Sequence, residues 1–189
     1  MWLFISLQGL VGGILQNLYG PFRGMDIYRS SNCLCLSLRG VYCLAWTNVQ
    51  ESLETTCIMY ISYTCADLYY LLLSSKPRLE IGLHHIFTIM AYLKLNTCVH
   101  LYQEALMAHI FLMAELLSVC NVILRRTKWL RYWRMGVITL VRLPIWTYMI
   151  YSHSLLSHER VAYLMYRSGM VLMPLLDVYF MWMALRSVP

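Results

Sequence analysis

The chain has 189 residues, 60% of them hydrophobic and 13% charged, with a mean hydropathy of +0.57. Soluble domains run at roughly 45–50% apolar and about 25% charged, so this composition argues against a water-soluble domain and predicts one all-α, multi-pass transmembrane bundle over 1–189. The formal net charge of +6 does not point to nucleic acid, because five of the basic residues crowd into RRTKWLRYWR directly after an apolar run. Such a juxtamembrane basic loop, at 125–134, is expected on the cytoplasmic side against anionic head groups.

A spanning helix needs about 20 predominantly apolar residues, and the sequence predicts six, at roughly 1–19, 55–75, 81–100, 105–124, 135–153 and 165–185. The first twenty residues lack the basic start and cleavage site of a signal peptide, which predicts a retained helix. Its Gly9-x-x-x-Gly13 pattern, with Gly12, offers a small-residue face to another helix and with it a membrane-protein partner. The stretch 32–46, NCLCLSLRGVYCLAW, is apolar but short and carries Arg39 near its middle. It reads as an interfacial or re-entrant segment, with a seventh span as the alternative. Lys76, Arg78, the 125–134 stretch and Arg186 share one side, which the positive-inside rule makes cytoplasmic. Six spans place both termini in the cytoplasm but leave Arg23 and Arg29 on the luminal side; a seventh returns them and moves the N-terminus across. Pro144 and Pro174, inside the last two spans, are expected to kink them. The seven cysteines form no CxxC pair and no ligand spacing with histidine, so neither a disulfide framework nor a metal site is predicted.

Inside these apolar runs stand Asp67, His84, His85, Glu115, Arg142 and Asp177. An ionisable group at hydrocarbon depth costs several kcal/mol, so it usually faces the bundle interior and marks a working site. At 1.5 Å per residue, the three carboxylates lie roughly 12–14 Å from the cytoplasmic end, Arg142 about 10 Å and the histidines about 5 Å. That common level predicts one polar or lipid cavity in the cytoplasmic half. Tyr60, Tyr63 and Asp67 share one helical face, and Glu115, Ser118 and Asn121 form another polar stripe. Arg142 can neutralise at most two of the three carboxylates. Two readings of the charged set follow, a wet functional cavity or an ion-pair network that fixes helix register. For His84 and His85 the alternatives are a general base with a near-neutral pKa and a pair of interfacial histidines. No phosphate-binding glycine loop, Ser-His-Asp order or HExxH sequence is present, and no cofactor is predicted.

The order of these motifs resembles the TLC domain. Tyr63-x-x-x-Asp67 precedes a short basic hairpin and the His84–His85 pair; Glu115, Leu116, Ser118 and Asn121 follow, then Arg142 in LVRLP. The domain is shared by translocation-associated membrane proteins, ceramide synthases and smaller TLC-domain-containing proteins. The resemblance implies about six helices around a cavity for a lipid or acyl chain, usually in the endoplasmic reticulum. In the ceramide synthase branch the His pair acts with an H-D-x-x-D segment on the following helix. Here His109 is followed by Ile110 and Met113 where the aspartates would fall, so the chain looks closer to the small TLC-domain-containing proteins linked to membrane lipid homeostasis. The expected function is binding or sensing a phospholipid or sphingolipid through Tyr63, Asp67, His84, His85, Glu115, Ser118, Arg142 and Asp177. The alternatives are an acyltransferase with acyl-CoA as co-substrate and His84 or His85 as base, and a transporter or cargo receptor.

Overall fold

A computed structural model describes residues 1–74, 79–97, 102–113, 115–119, 129–153 and 160–186. The first helix, α1 (Trp2–Tyr19), reverses into α2 (Pro21–Trp46) through Gly20 alone. Gly20 adopts φ +82°, a region glycine enters without the Cβ penalty, and Pro21 pre-sets the first turn of α2. The two helices then run close together. A Cβ on Gly24 would stand 2.6 Å from Gln16 Cα, so only glycine permits this crossing.

The stretch 32–46 is neither interfacial nor re-entrant: it is the second half of the continuous 26-residue helix α2. Its buried positions include Gly24, Tyr28, Ser30, Cys33, Ser37, Gly40 and Cys43, while Leu38 and Trp46 face outward. Apart from Tyr28 and Leu36, the face turned inward is made of small residues, which dilutes the apolar run and hides the helix from a hydropathy window.

The third helix, α3 (Val49–Leu73), is capped by Asn48, whose side chain accepts from the Gln50 N–H at 3.0 Å. Helix α4 (Leu79–Thr97) returns beside it. The predicted span 105–124 is not one helix. It is α5 (Tyr102–Met113), a turn holding Glu115, and the short α6 (Leu116–Val119). The Glu115 N–H bonds Leu112 O at 3.0 Å, closing α5 with an i→i−3 turn. Residues 120–124 lie outside the described residues.

Helices α7 (Trp129–Val137) and α8 (Leu143–His153) are joined without a break by a π-helical turn, Ile138–Arg142. The WLRYWR part of the expected basic loop is thus helical. The π turn sits just before Pro144, where Leu143 N–H bonds Ile138 O. Proline lacks an N–H and crowds the carbonyl four residues back, and the wider turn accommodates both defects. The last helix is α9 (Arg160–Arg186), with Pro174 inside it.

Helix α2 lies at the centre against α1, α3, α5 and α6, and α9 packs against α4, α7 and α8. The core joins Tyr28, Leu36, Leu53, Tyr60, Tyr92, Leu112 and Trp146. Edge-on ring pairs lock it, Tyr60–Tyr92 at 4.5 Å and Phe111–Trp146 at 4.6 Å between centroids. The architecture is all-α. By length and composition, one helix among the described residues, Val49–Leu73, is able to cross a membrane, and Val171–Met183 is a shorter apolar stretch; the expected six do not follow from those criteria.

Candidate functional site

Asp67 is 1% exposed, one and a half turns before the end of α3, and two basic side chains meet it. Arg29 of α2 points Nε at both carboxylate oxygens, at 2.8 and 2.9 Å. From α4, His85 Nε2 lies 2.6 Å from Oδ2. Adjacent helical residues point about 100° apart, which separates the two histidines: His85 is buried on Asp67, whereas His84 is half-buried with its ring 5.6 Å from that of His85. Tyr63 places its ring edge-on to His85 at 6.4 Å.

Through Tyr63 the site continues to Glu115. The Tyr63 hydroxyl lies 3.6 Å from Cys33 Sγ, and that thiol donates to Glu115 Oε2 at 3.4 Å. On the other oxygen Glu115 accepts from the Tyr60 hydroxyl. Both are neutral donors, and among the described residues no cation pairs with Glu115. Burying a carboxylate without a cation is costly, so the phenol and the thiol compensate only part of the lost hydration.

The third cluster is built on the π turn. Arg142, 5% exposed, donates through Nε to Asp177 Oδ2 of α9 at 2.9 Å. Trp146, one turn further along α8, donates to the same oxygen at 2.9 Å. The other oxygen, Oδ1, is buried without a hydrogen-bond partner. Arg142 is also close enough to Glu115 and Tyr60 to interact with them electrostatically, so the second and third clusters are neighbours.

The expected residues Tyr63, Asp67, His84, His85, Glu115, Arg142 and Asp177 are thus placed in one chain of contacts and electrostatic neighbours. The side chain of Ser118, and all of Asn121, lie outside the described residues. Tyr70 of α3 covers the small-residue face of α1 at Gly12 and Gly13, where a Cβ would meet its ring at 2.6 Å and its hydroxyl at 3.1 Å, and it bonds Gly9 O, whose Cβ position stays open. Sequence reasoning missed Arg29, Cys33 and Trp146. In GMDIYRSSN, Met25, Tyr28 and Asn32 keep helical spacing, a signal for a helix through Arg29 but not for its partner. Among the described residues no group of three or more His, Cys, Asp or Glu is placed to hold a metal. Comparison of the chain with protein-family models, with curated proteins and with solved structures finds no match in any of the three.

Proposed function

We propose that the chain is a multi-pass membrane protein of TLC type whose buried polar site binds or senses a lipid head group and thereby influences membrane lipid composition. One observation carries this reading: ionisable side chains are buried beside the apolar core while large apolar side chains stand outside. Asp67, His85, Glu115, Arg142 and Asp177 are each at most 6% exposed, while Trp2 is 77% and Leu140 78% exposed. In water that arrangement squanders apolar surface; in lipid it is what solvation requires. Glu115, held only by neutral donors, and the unpartnered Asp177 Oδ1 are acceptors suited to the hydroxyls or ammonium of a lipid head group.

Seven crossings fit the charges better than six. With α2 as a crossing, Arg23, Lys76, Arg78, the 125–134 stretch and Arg186 fall on one side, as the positive-inside rule asks. Endoplasmic reticulum residence comes only from the TLC resemblance. The test is mass spectrometry of lipids that copurify with wild type and with Asp67→Asn/His85→Gln. Enrichment of one lipid class in wild type, lost in the folded variant, is the expected result; bulk membrane lipid in both samples sinks the reading.

The Asp67–His85 contact favours a second reading, acyl transfer. With Nε2–H donated to the carboxylate, Nδ1 keeps its lone pair and can take the proton of an attacking lipid amine or hydroxyl. Acyl-CoA would supply the acyl group: its carbonyl carbon bonds the amine or hydroxyl, the C–S bond breaks, and coenzyme A leaves as the thiol with the proton held by His85. Turnover of acyl-CoA with a lipid acceptor, abolished by His85→Ala, would establish it. Ile110 and Met113, in place of the two aspartates, weigh against it.

A further inference from the structure

A second polar cluster occupies the other end of the bundle. Arg39 stands seven residues before the end of α2, Thr56 seven after the start of α3, and His109 seven after the start of α5. At 1.5 Å per residue all three lie roughly 10 Å inside that end, and Thr56 is about 16 Å along α3 from Asp67. The close approach of α2 to α5 is made possible by Gly40, where a Cβ would fall 2.7 Å from His109 O.

Arg39 is half-buried, yet it meets only neutral acceptors. Its Nε donates to Thr56 Oγ1 at 3.3 Å and its Nη2 to Ser52 O at 3.4 Å. A guanidinium carries five N–H donors, so most of the fork is unused, and among the described residues no carboxylate pairs with it. Glu51 and Glu54, one turn away on α3, are exposed. Beside it, His109 is fully buried and senses the charge of Arg39, and its Nδ1 has no partner. These are independent deficits in one neighbourhood, a cation without an anion and a buried ring nitrogen without a bond.

The 3.1 Å contact between Ser52 Oγ and His109 Nε2 is not a nucleophile and its base. The same nitrogen lies 3.0 Å from Val49 O. A carbonyl only accepts, so Nε2 carries a hydrogen there and has no lone pair with which to activate the serine. The chemistry on offer is binding.

We propose that Arg39, Thr56 and His109 form a second site, at the end of the bundle opposite Asp67, that takes a phosphate group. The guanidinium fork matches phosphate oxygens two at a time, and the orphan Nδ1 accepts from a phosphate O–H, or donates to a phosphate oxygen once protonated. The phosphate comes from a lipid head group or from free phosphate. This site needs nothing from the Asp67 end, so the two readings fail separately.

The test is binding to the purified full chain in detergent, with inorganic phosphate, dioctanoyl phosphatidic acid and dioctanoyl phosphatidylcholine as probes. The expected result is saturable binding of phosphatidic acid, weakened at least about tenfold by Arg39→Gln and left intact by His85→Gln. Equal binding of inorganic phosphate with the same Arg39 dependence assigns the site to the free anion. Arg39→Lys keeps the charge, loses the fork and is expected to bind between the two. A wild-type protein that binds neither anion, or affinity that survives Arg39→Gln, overturns the proposal; so does a loss caused by His85→Gln alone. Should Arg39→Gln fail to fold, the wild-type titration and Arg39→Lys still decide.

Discussion

Asp177 and Glu115 are both buried carboxylates, and their surroundings predict different responses to substitution. Asp177 has a full cation in Arg142, so Arg142→Met leaves a buried charge unpaired and is expected to cost about 3–5 kcal/mol. The double variant Arg142→Met/Asp177→Leu removes both charges and is expected to regain most of that stability, measured as unfolding in mixed micelles. Simple additivity of the two single changes would show that the pair is not coupled. Glu115 is held by the Tyr60 phenol and the Cys33 thiol. Tyr60→Phe deletes one donor while keeping the ring against Tyr92, at an expected cost of about 1–3 kcal/mol. At this scale much of the site was legible: Asp67, His85, Glu115, Arg142 and Asp177 stand out because a charge in an apolar run needs a reason. Arg29 was not, because its own neighbours are polar and nothing local names Asp67, thirty-eight residues away, as its partner.

Helix α2 shows why one element escaped the sequence reading while others did not. Helices α3 and α4 carry apolar runs that mark them in the sequence: α4 agrees with its expected span within three residues at each end, while α3 starts six residues before its expected span, at Val49, where VQESLE dilutes the run. Helix α2 turns Gly24, Ser30, Cys33, Ser37, Gly40 and Cys43 inward, so small residues that lower its hydropathy are among those that make its contacts. Two glycines on different helices test this. Gly40→Ala forces a methyl to 2.7 Å from the His109 carbonyl and is expected to destabilise by about 1–3 kcal/mol. Gly9→Ala meets nothing within 4 Å, and the better helix propensity of alanine is expected to leave stability unchanged or raise it by up to about 1 kcal/mol; thermal unfolding of both separates the cases. The π turn is equally specific. It is an α-helix with one residue too many, absorbed locally, so α7 and α8 keep their phase. Deleting Thr139 is therefore expected to be tolerated better than deleting Ser62 from the buried middle of α3, as read by the yield of folded protein.

For the whole molecule, the proposed seven crossings have a direct check. An odd number puts Met1 and Arg186 on opposite sides of the membrane, and six put them on the same side. Tags fused at the two ends, probed in sealed and in permeabilised vesicles, are expected to differ in accessibility; equal accessibility in sealed vesicles would return the bundle to an even count. The general class, an all-helical chain with ionisable residues inside, was legible from composition, whereas the number of crossings was not, because it turns on α2. The apolar outer surface has a thermodynamic consequence. Side chains such as Trp2 and Leu140 lie on the outside when the helices are packed, and in a bilayer they still face lipid when the helices separate. Unfolding there brings little new apolar surface into water, and it is such surface that gives soluble proteins a heat-capacity increment of about 12–15 cal/mol/K per residue. Calorimetry of the chain in bilayers should find an increment far below that value, the sign of a fold held by side-chain packing and buried ion pairs between its helices rather than by flight from water.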